Sequence, residues 1–184
     1  MNYSSHSPAS SSKTKHGIKT ELSDGIPLFL QWDERWGYSK YGNDFLAING
    51  CGPTCLSMIL VGLTGDTSLT PSAVAEFSYE QGYLTPNQGT SWSLMTEGAA
   101  ALGLNSKTIP ADPNTIISLL NNGTPIIASM KPGHFTTQGH FIVLRGIDEN
   151  GMIYVNDPDS KIRSKQAWDL STILNECKNL WRFE

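Results

Sequence analysis

The chain has 184 residues, 39% of them apolar, and a formal net charge of −4. That length fits one domain plus a tail, and the acidic balance argues against a nucleic-acid binder, which would carry a basic face. No apolar run approaches the roughly 18 residues that a membrane span needs, and the N-terminus lacks the apolar stretch of a secretory signal.

Residues 1–25 read as a flexible Ser-rich tail or linker. Ser4, Ser5, Ser7, Ser10, Ser11 and Ser12 stand among Lys, Thr and His with almost nothing apolar to bury. His6 and His16 lie there and are poor catalytic candidates. Residues 26–184 read as one domain without internal repeats. Ile26-Pro27-Leu28-Phe29-Leu30 reads as a short extended segment leading to Gln31-Trp32-Asp33-Glu34-Arg35-Trp36. A first helix is expected from Gly52 or Pro53 to Leu63, since proline suits a first turn and Gly65 can end it. Thr70 is an N-cap candidate with Pro71 at the first helical position, giving a second helix to Gln81. Ser91 is expected to cap a third through Ala101, stopped by Gly103. Asp112-Pro113 opens a fourth, whose apolar face is Ile116, Ile117, Leu119 and Leu120 and whose stop is Gly123.

The pattern then turns to strands. Pro125–Met130, His140–Ile147 and Met152–Asn156 are short β-like runs, and Asp148-Glu149-Asn150-Gly151 is a turn signal. The short turn predicts an antiparallel hairpin of the last two, in a register that sets His140 opposite about position 159. A helix is expected around Asp169–Cys177, and a closing strand at Leu180–Phe183. Helices first and antiparallel strands later predict an α+β fold.

Cys51 opens the first helix, where backbone N–H groups and the helix dipole favour a thiolate. Gly50 and Gly52 flank it and are expected to leave the backbone open to a substrate. Cys55 falls one turn further in, on the apolar face with Ile59, and reads as core; Cys177 reads as structural. Three cysteines cannot all pair, so a disulfide scaffold is not expected. The Cys51–Cys55 spacing differs from a zinc pair, and no second ligand cluster follows, so neither metal nor other cofactor is expected. A nucleophilic cysteine needs a base, an orienting group and donors for the oxyanion. His140, at the start of a strand, is a better-held base than His134 in the loop Lys131–Gly139. Asp157 is the candidate orienter, with Asp159 within the same reach and Asn156 as a neutral alternative. Gln31 is a candidate oxyanion donor beside the backbone N–H of Cys51, although sequence alone does not separate it from a surface glutamine.

Gln31-Trp32-Asp33-Glu34-Arg35-Trp36, Gly50-Cys51-Gly52-Pro53-Thr54, Gly139-His140-Phe141-Ile142-Val143 and Asn156-Asp157-Pro158 follow one another in an order that resembles the papain-like cysteine peptidases. More narrowly, the chain is similar to the bacterial bacteriocin-leader-peptidase-like group, cysteine peptidase family thirty-nine type, over about residues 26–184. The resemblance implies a helical subdomain carrying Cys51, packed against an antiparallel β-sheet carrying His140 and Asp157, with the site in the cleft between them. It implies Cys51 as nucleophile, His140 as general base and acid, Asp157 as orienter and Gln31 as oxyanion donor. The expected activity is hydrolysis of a peptide or amide bond in a peptide or protein substrate. The alternatives are acyl transfer or transpeptidation, cell-wall peptide hydrolysis, and an inactive peptide-binding module. The leader peptidases of that group are fused to a transporter, so cleavage after a Gly-Gly leader is not carried over. A monomer is expected, outside a bacterial cell or on its surface, with the cytoplasm as the alternative. The loops Lys131–Gln138 and Tyr83–Trp92 are expected to border the cleft, the former as a gate.

Overall fold

The computed structural model describes residues 25–184. The expected tail, with His6 and His16, falls outside them apart from Gly25. Ile26–Leu30 joins no sheet. Two short strands, β1 (Lys40–Tyr41) and β2 (Asp44–Phe45), pair around Gly42, whose φ of 70° suits the first position of a two-residue hairpin turn. One helical turn, α1 (Leu46–Asn49), leads directly into α2 (Cys51–Thr64). An unbroken run of α2, from Gly52 to Val61, is buried, as its nearly continuous apolar sequence requires. Gly65 ends it in the left-handed region at φ 72°, its N–H donating to Val61 O at 2.9 Å. Helix α3 (Pro71–Glu80) starts as expected, with Thr70 Oγ1 accepting the Ala73 N–H at 3.2 Å.

The expected third helix is two pieces, a 3-10 turn (Trp92–Met95) and α4 (Glu97–Ala101). The break is Thr96, at φ −113° and ψ −84°. Its hydroxyl bonds the Glu97 carboxylate and Ser93 O, a local alternative to continuing the helix. A strand that the sequence did not announce, β3 (Ser106–Ile109), precedes α5 (Pro113–Asn121). Asp112 caps α5, its Oδ2 accepting the Thr115 N–H at 2.8 Å.

The rest builds the sheet: β4 (Ile126–Met130), β5 (His140–Ile147), β6 (Ile153–Asn156), a short α6 (Lys161–Lys165), β7 (Ala167–Trp168), α7 (Leu170–Glu176) and β8 (Cys177–Phe183). The closing strand thus starts at Cys177 rather than Leu180, directly after α7. Six strands lie in the order β3-β8-β4-β5-β6-β7, every neighbouring pair antiparallel. Ile127, Phe141, Val143 and Trp181 share one apolar cluster with Leu56, Ile59 and Leu60 of α2. Their strand neighbours Ile126, Ala128, Ile142 and Leu180 share another with Ile116 of α5 and Ile173 of α7. The sheet is therefore covered on both faces, and every residue of β4 is buried. The β5–β6 ladder pairs Val143 with Asn156 and Leu144 with Val155, the expected register, before it slips at Arg145. The architecture is α+β, with α2 laid against an antiparallel sheet.

Candidate active site

Cys51, His140 and Gln31 line a cleft of about 440 Å³ between the helical half and the sheet. Each arrives on a different element. Cys51 is the first residue of α2 and is half-buried. His140 is the first residue of β5 and is 9% exposed. Asp157 follows the last residue of β6 and is fully buried. The antiparallel pairing of β5 with β6 is what brings these two strand ends to one place.

His140 Nε2 meets Asp157 Oδ1 at 2.8 Å. Cys51 lines the same cleft and acts on the charge of this imidazole. Because Nε2 is engaged by Asp157, the nitrogen left for the sulfur is Nδ1. Burial acts against a charge on this ring, but it is outweighed. The Asp157 hydrogen bond, with the influence of Asp157 and Cys51 beside the ring, pushes the His140 pKa up to about 10. Burial likewise opposes the charge of Asp157. The His140 hydrogen bond and charge, the Arg163 hydrogen bond and the Asp159 N–H together hold its carboxyl below the ordinary value.

Gln31 is 3% exposed and its side chain donates from Nε2 to Ala47 O at 3.0 Å. One Nε2 proton is thereby fixed, which leaves the second without a protein acceptor. Its Oε1 is buried and has no protein partner. The backbone N–H of Gln31 donates to Pro158 O at 2.7 Å, so the segment after Asp157 is tied to this residue.

The other candidates separate from this group. Cys55 is fully buried, and burial, with the Cys51 and Asp157 charges, pushes its thiol up. His134 pairs with Glu176 at the end of α7. Asp159 lines the cleft, but toward Asp157 it offers its backbone N–H at 2.9 Å. Asn156 is buried, its Nδ2 donating to Ile26 O and Pro27 O at 3.2 and 3.0 Å, so it anchors the N-terminal segment. The flanking glycines serve packing rather than substrate access. A Cβ on Gly52 would stand 2.6 Å from Thr90 Oγ1, and one on Gly50 would stand 2.5 Å from the Leu46 side chain and backbone oxygen.

Both expected loops border the cleft, through Asn87, Gln88 and Gly89 on one wall and Thr136, Thr137 and Gln138 on the other. The second wall is anchored: Phe135 is 2% exposed against Trp168, ring centroids 4.4 Å apart, and Glu176 holds the His134 backbone N–H at 2.8 Å. Gln88 is the one described non-glycine residue with positive φ, at 61°. Asn49 secures it, donating from Nδ2 to Gln88 O and Tyr41 O. Sequence reasoning missed Asn49, Arg163 and Ser164. Arg163 Nε donates to Asp157 Oδ2 at 2.6 Å, and Ser164 Oγ accepts the Asp157 N–H at 2.8 Å.

Among the described residues no group of three His, Cys, Asp or Glu could hold a metal ion, and no helix is long and apolar enough to cross a membrane.

The sequence matches the model of the Peptidase_C39 like family over residues 23–183. No curated protein matches it. Among the solved structures that share its fold are two peptidase domains. The peptidase domain of Streptococcus ComA, a bi-functional ABC transporter involved in a quorum-sensing pathway, is 22% identical. That match has a TM-score of 0.56 and covers 73% of this chain and 90% of that one. The peptidase domain of Streptococcus mutans ComA is 21% identical, with a TM-score of 0.51, covering 80% of this chain and 98% of that one.

Proposed function

This chain belongs to the C39-like peptidase family, and from that premise we propose that it is a cysteine peptidase in which Cys51, His140, Asp157 and Gln31 carry the reaction. The observation behind this reading is the hydrogen bond of His140 to the buried Asp157 carboxylate at the edge of the cleft that Cys51 and Gln31 also line. His140, its pKa raised to about 10, holds the proton of the Cys51–His140 pair on Nδ1. The sulfur attacks the scissile carbonyl carbon, forming the C–S bond as the carbonyl π pair moves to oxygen. The Cys51 backbone N–H and the uncommitted Gln31 Nε2–H receive that oxyanion. As the tetrahedral intermediate collapses, the C–N bond breaks and His140 gives its proton to the departing amine. Water then attacks the thioester, with His140 accepting its proton. The C–S bond breaks, its electron pair returns to sulfur, and the proton stays on His140 Nδ1, which restores the pair. Asp157 keeps the imidazole oriented and its cationic form favoured throughout.

The test is cleavage of a peptide mixture followed by mass spectrometry of new termini, comparing the wild type with Cys51→Ala. New termini that appear only with the wild type are expected. Equal cleavage by Cys51→Ala would sink the proposal. A selective, His140-dependent reaction of Cys51 with iodoacetamide at mildly acidic pH tests the activated sulfur without knowledge of the substrate.

A further inference from the structure

Asp157 is a fully buried carboxylate, and every strong partner it has can be named. Oδ1 receives His140 Nε2 at 2.8 Å and the Asp159 N–H at 2.9 Å. Oδ2 receives Arg163 Nε at 2.6 Å. Without the guanidinium, that second oxygen would be a buried anionic atom lacking a hydrogen bond, a costly state that protonation or rotation of the carboxyl would relieve. Either change weakens the grip on His140.

The surroundings of Arg163 differ from those of an ordinary surface ion pair. The side chain is 25% exposed. Its backbone is pinned on both sides, the N–H donating to Ser160 Oγ at 3.1 Å and the carbonyl accepting Trp168 Nε1–H at 2.9 Å. The next residue, Ser164, takes the Asp157 N–H and donates to Ser160 O at 2.7 Å. Helix α6 thus wraps Asp157 and delivers the guanidinium from a fixed backbone. Arg163 Nη2 lies 3.7 Å from Asp159 Oδ2. A second cavity of about 310 Å³ beyond His140 is lined by Arg163, Asp159 and His134. The charged and titratable groups facing Asp157 are His140 from β5, Cys55 from α2, and Asp159 and Arg163 from its own loop and α6.

We propose that Arg163 is a positioning residue of this site: it locks the Asp157 carboxylate in the ionised, His140-directed state through which the Cys51–His140 pair is set. This rests on the peptidase reading above. Arg163 acts through Asp157, whose Oδ2 takes its Nε–H.

The test is the pH profile of Cys51 alkylation by iodoacetamide, followed by mass spectrometry on the whole chain, with thermal unfolding recorded in parallel. Wild type, Asp157→Asn, Arg163→Gln and Arg163→Lys are compared. Loss of the guanidinium lets Asp157 take its proton at higher pH. The acid limb of Arg163→Gln should therefore move up by about one pH unit, the scale of a lost charge-assisted hydrogen bond. Arg163→Lys keeps the charge without the fork and should recover part of the shift. A merely structural role would lower the unfolding temperature and leave the limb in place, and that result overturns the proposal. If Asp157→Asn changes the profile and Arg163→Gln does not, Arg163 alone is excluded. If Asp157→Asn also keeps the wild-type profile, the triad reading fails with it. Should Arg163→Gln not fold, Arg163→Met takes its place, and a wild-type limb in that variant overturns the proposal equally.

Discussion

The backbone N–H of Gln31 donates to the carbonyl of Pro158 at 2.7 Å, so a residue that lines the cleft with Cys51 is fastened to the one that follows Asp157. Beside it, Trp32 Nε1–H donates to Asp159 O at 3.1 Å. The two halves of the site are thus joined by main chain, and the Gln31 side chain is aimed by its single bond to Ala47 O. A donor held this way costs no reorganisation when charge develops on a substrate oxygen.

Gln31→Ala should therefore lower kcat by about 10²–10³ and leave KM nearly unchanged, the loss seen when one oxyanion donor is removed. Because the Pro158 contact uses main chain, the variant should retain its fold. Steady-state kinetics on any cleaved peptide decides it. An unchanged kcat would remove Gln31 from the oxyanion role.

Stability should fall on both sides of neutrality. His140 is raised from 6.5 to about 10 in the folded chain. Its contribution is complete below the unfolded value and disappears as pH rises through about 10. Asp157 is held below its ordinary 3.8, so its contribution is present above that value and is lost as pH falls through the folded one. Thermal unfolding should show a midpoint that declines between pH 7 and pH 10. His140→Gln should flatten that alkaline decline. An equally steep decline in His140→Gln would mean that His140 is not its source.

The helix starts were readable because their chemistry is local. Thr70-Pro71 and Asp112-Pro113 each carry a capping oxygen and a proline at the first turn, and both caps form. Gly65 needed only the left-handed region. The register that brings Asp157 to His140 was readable too, because a short turn leaves the hairpin few pairings. The slip at Arg145 was not, since nothing local marks it. Gln31 stood out only through its order in the series with Cys51, His140 and Asp157. Arg163 was hidden for a different reason. Lys161-Ile162-Arg163-Ser164-Lys165 carries the charge of a solvated loop, and its meaning comes from a contact with the far end of β6. The glycines beside Cys51 were read as openings, because the atoms that crowd them, in Thr90 and Leu46, are brought there by folding.

That crowding makes Gly52→Ala informative. The added methyl meets Thr90 Oγ1 at 2.6 Å, and Thr90 bonds Tyr41, which in turn bonds Ser78. Overpacking of this kind costs about 1–3 kcal/mol. Denaturant unfolding should show that loss, together with slower alkylation of Cys51 as the start of α2 is displaced. Thr90→Gly removes the opposing side chain, so the double variant should be more stable than the sum of the single effects predicts. Strict additivity would mean that Thr90 is not what excludes a side chain at position 52.

Phe135 tests whether the wall formed by residues 131–139 is a gate or a fixture. The ring is buried against Trp168, while Thr136, Thr137 and Gln138 immediately after it face the cleft. Glu176 secures the preceding residue through both the backbone and the ring of His134. A loop held at three side chains should exchange its amides slowly, and its release should depend on the apolar anchor more than on the exposed ion pair. Phe135→Ala should cost about 3–5 kcal/mol, the range for truncating a buried phenylalanine. Below the unfolding transition, hydrogen exchange over residues 131–139 should accelerate more than exchange in β4, and KM should rise more than kcat falls. Glu176→Gln should do much less on each measure. If instead Glu176→Gln frees the segment and Phe135→Ala only lowers global stability, the ion pair is the latch, and the wall opens by breaking it.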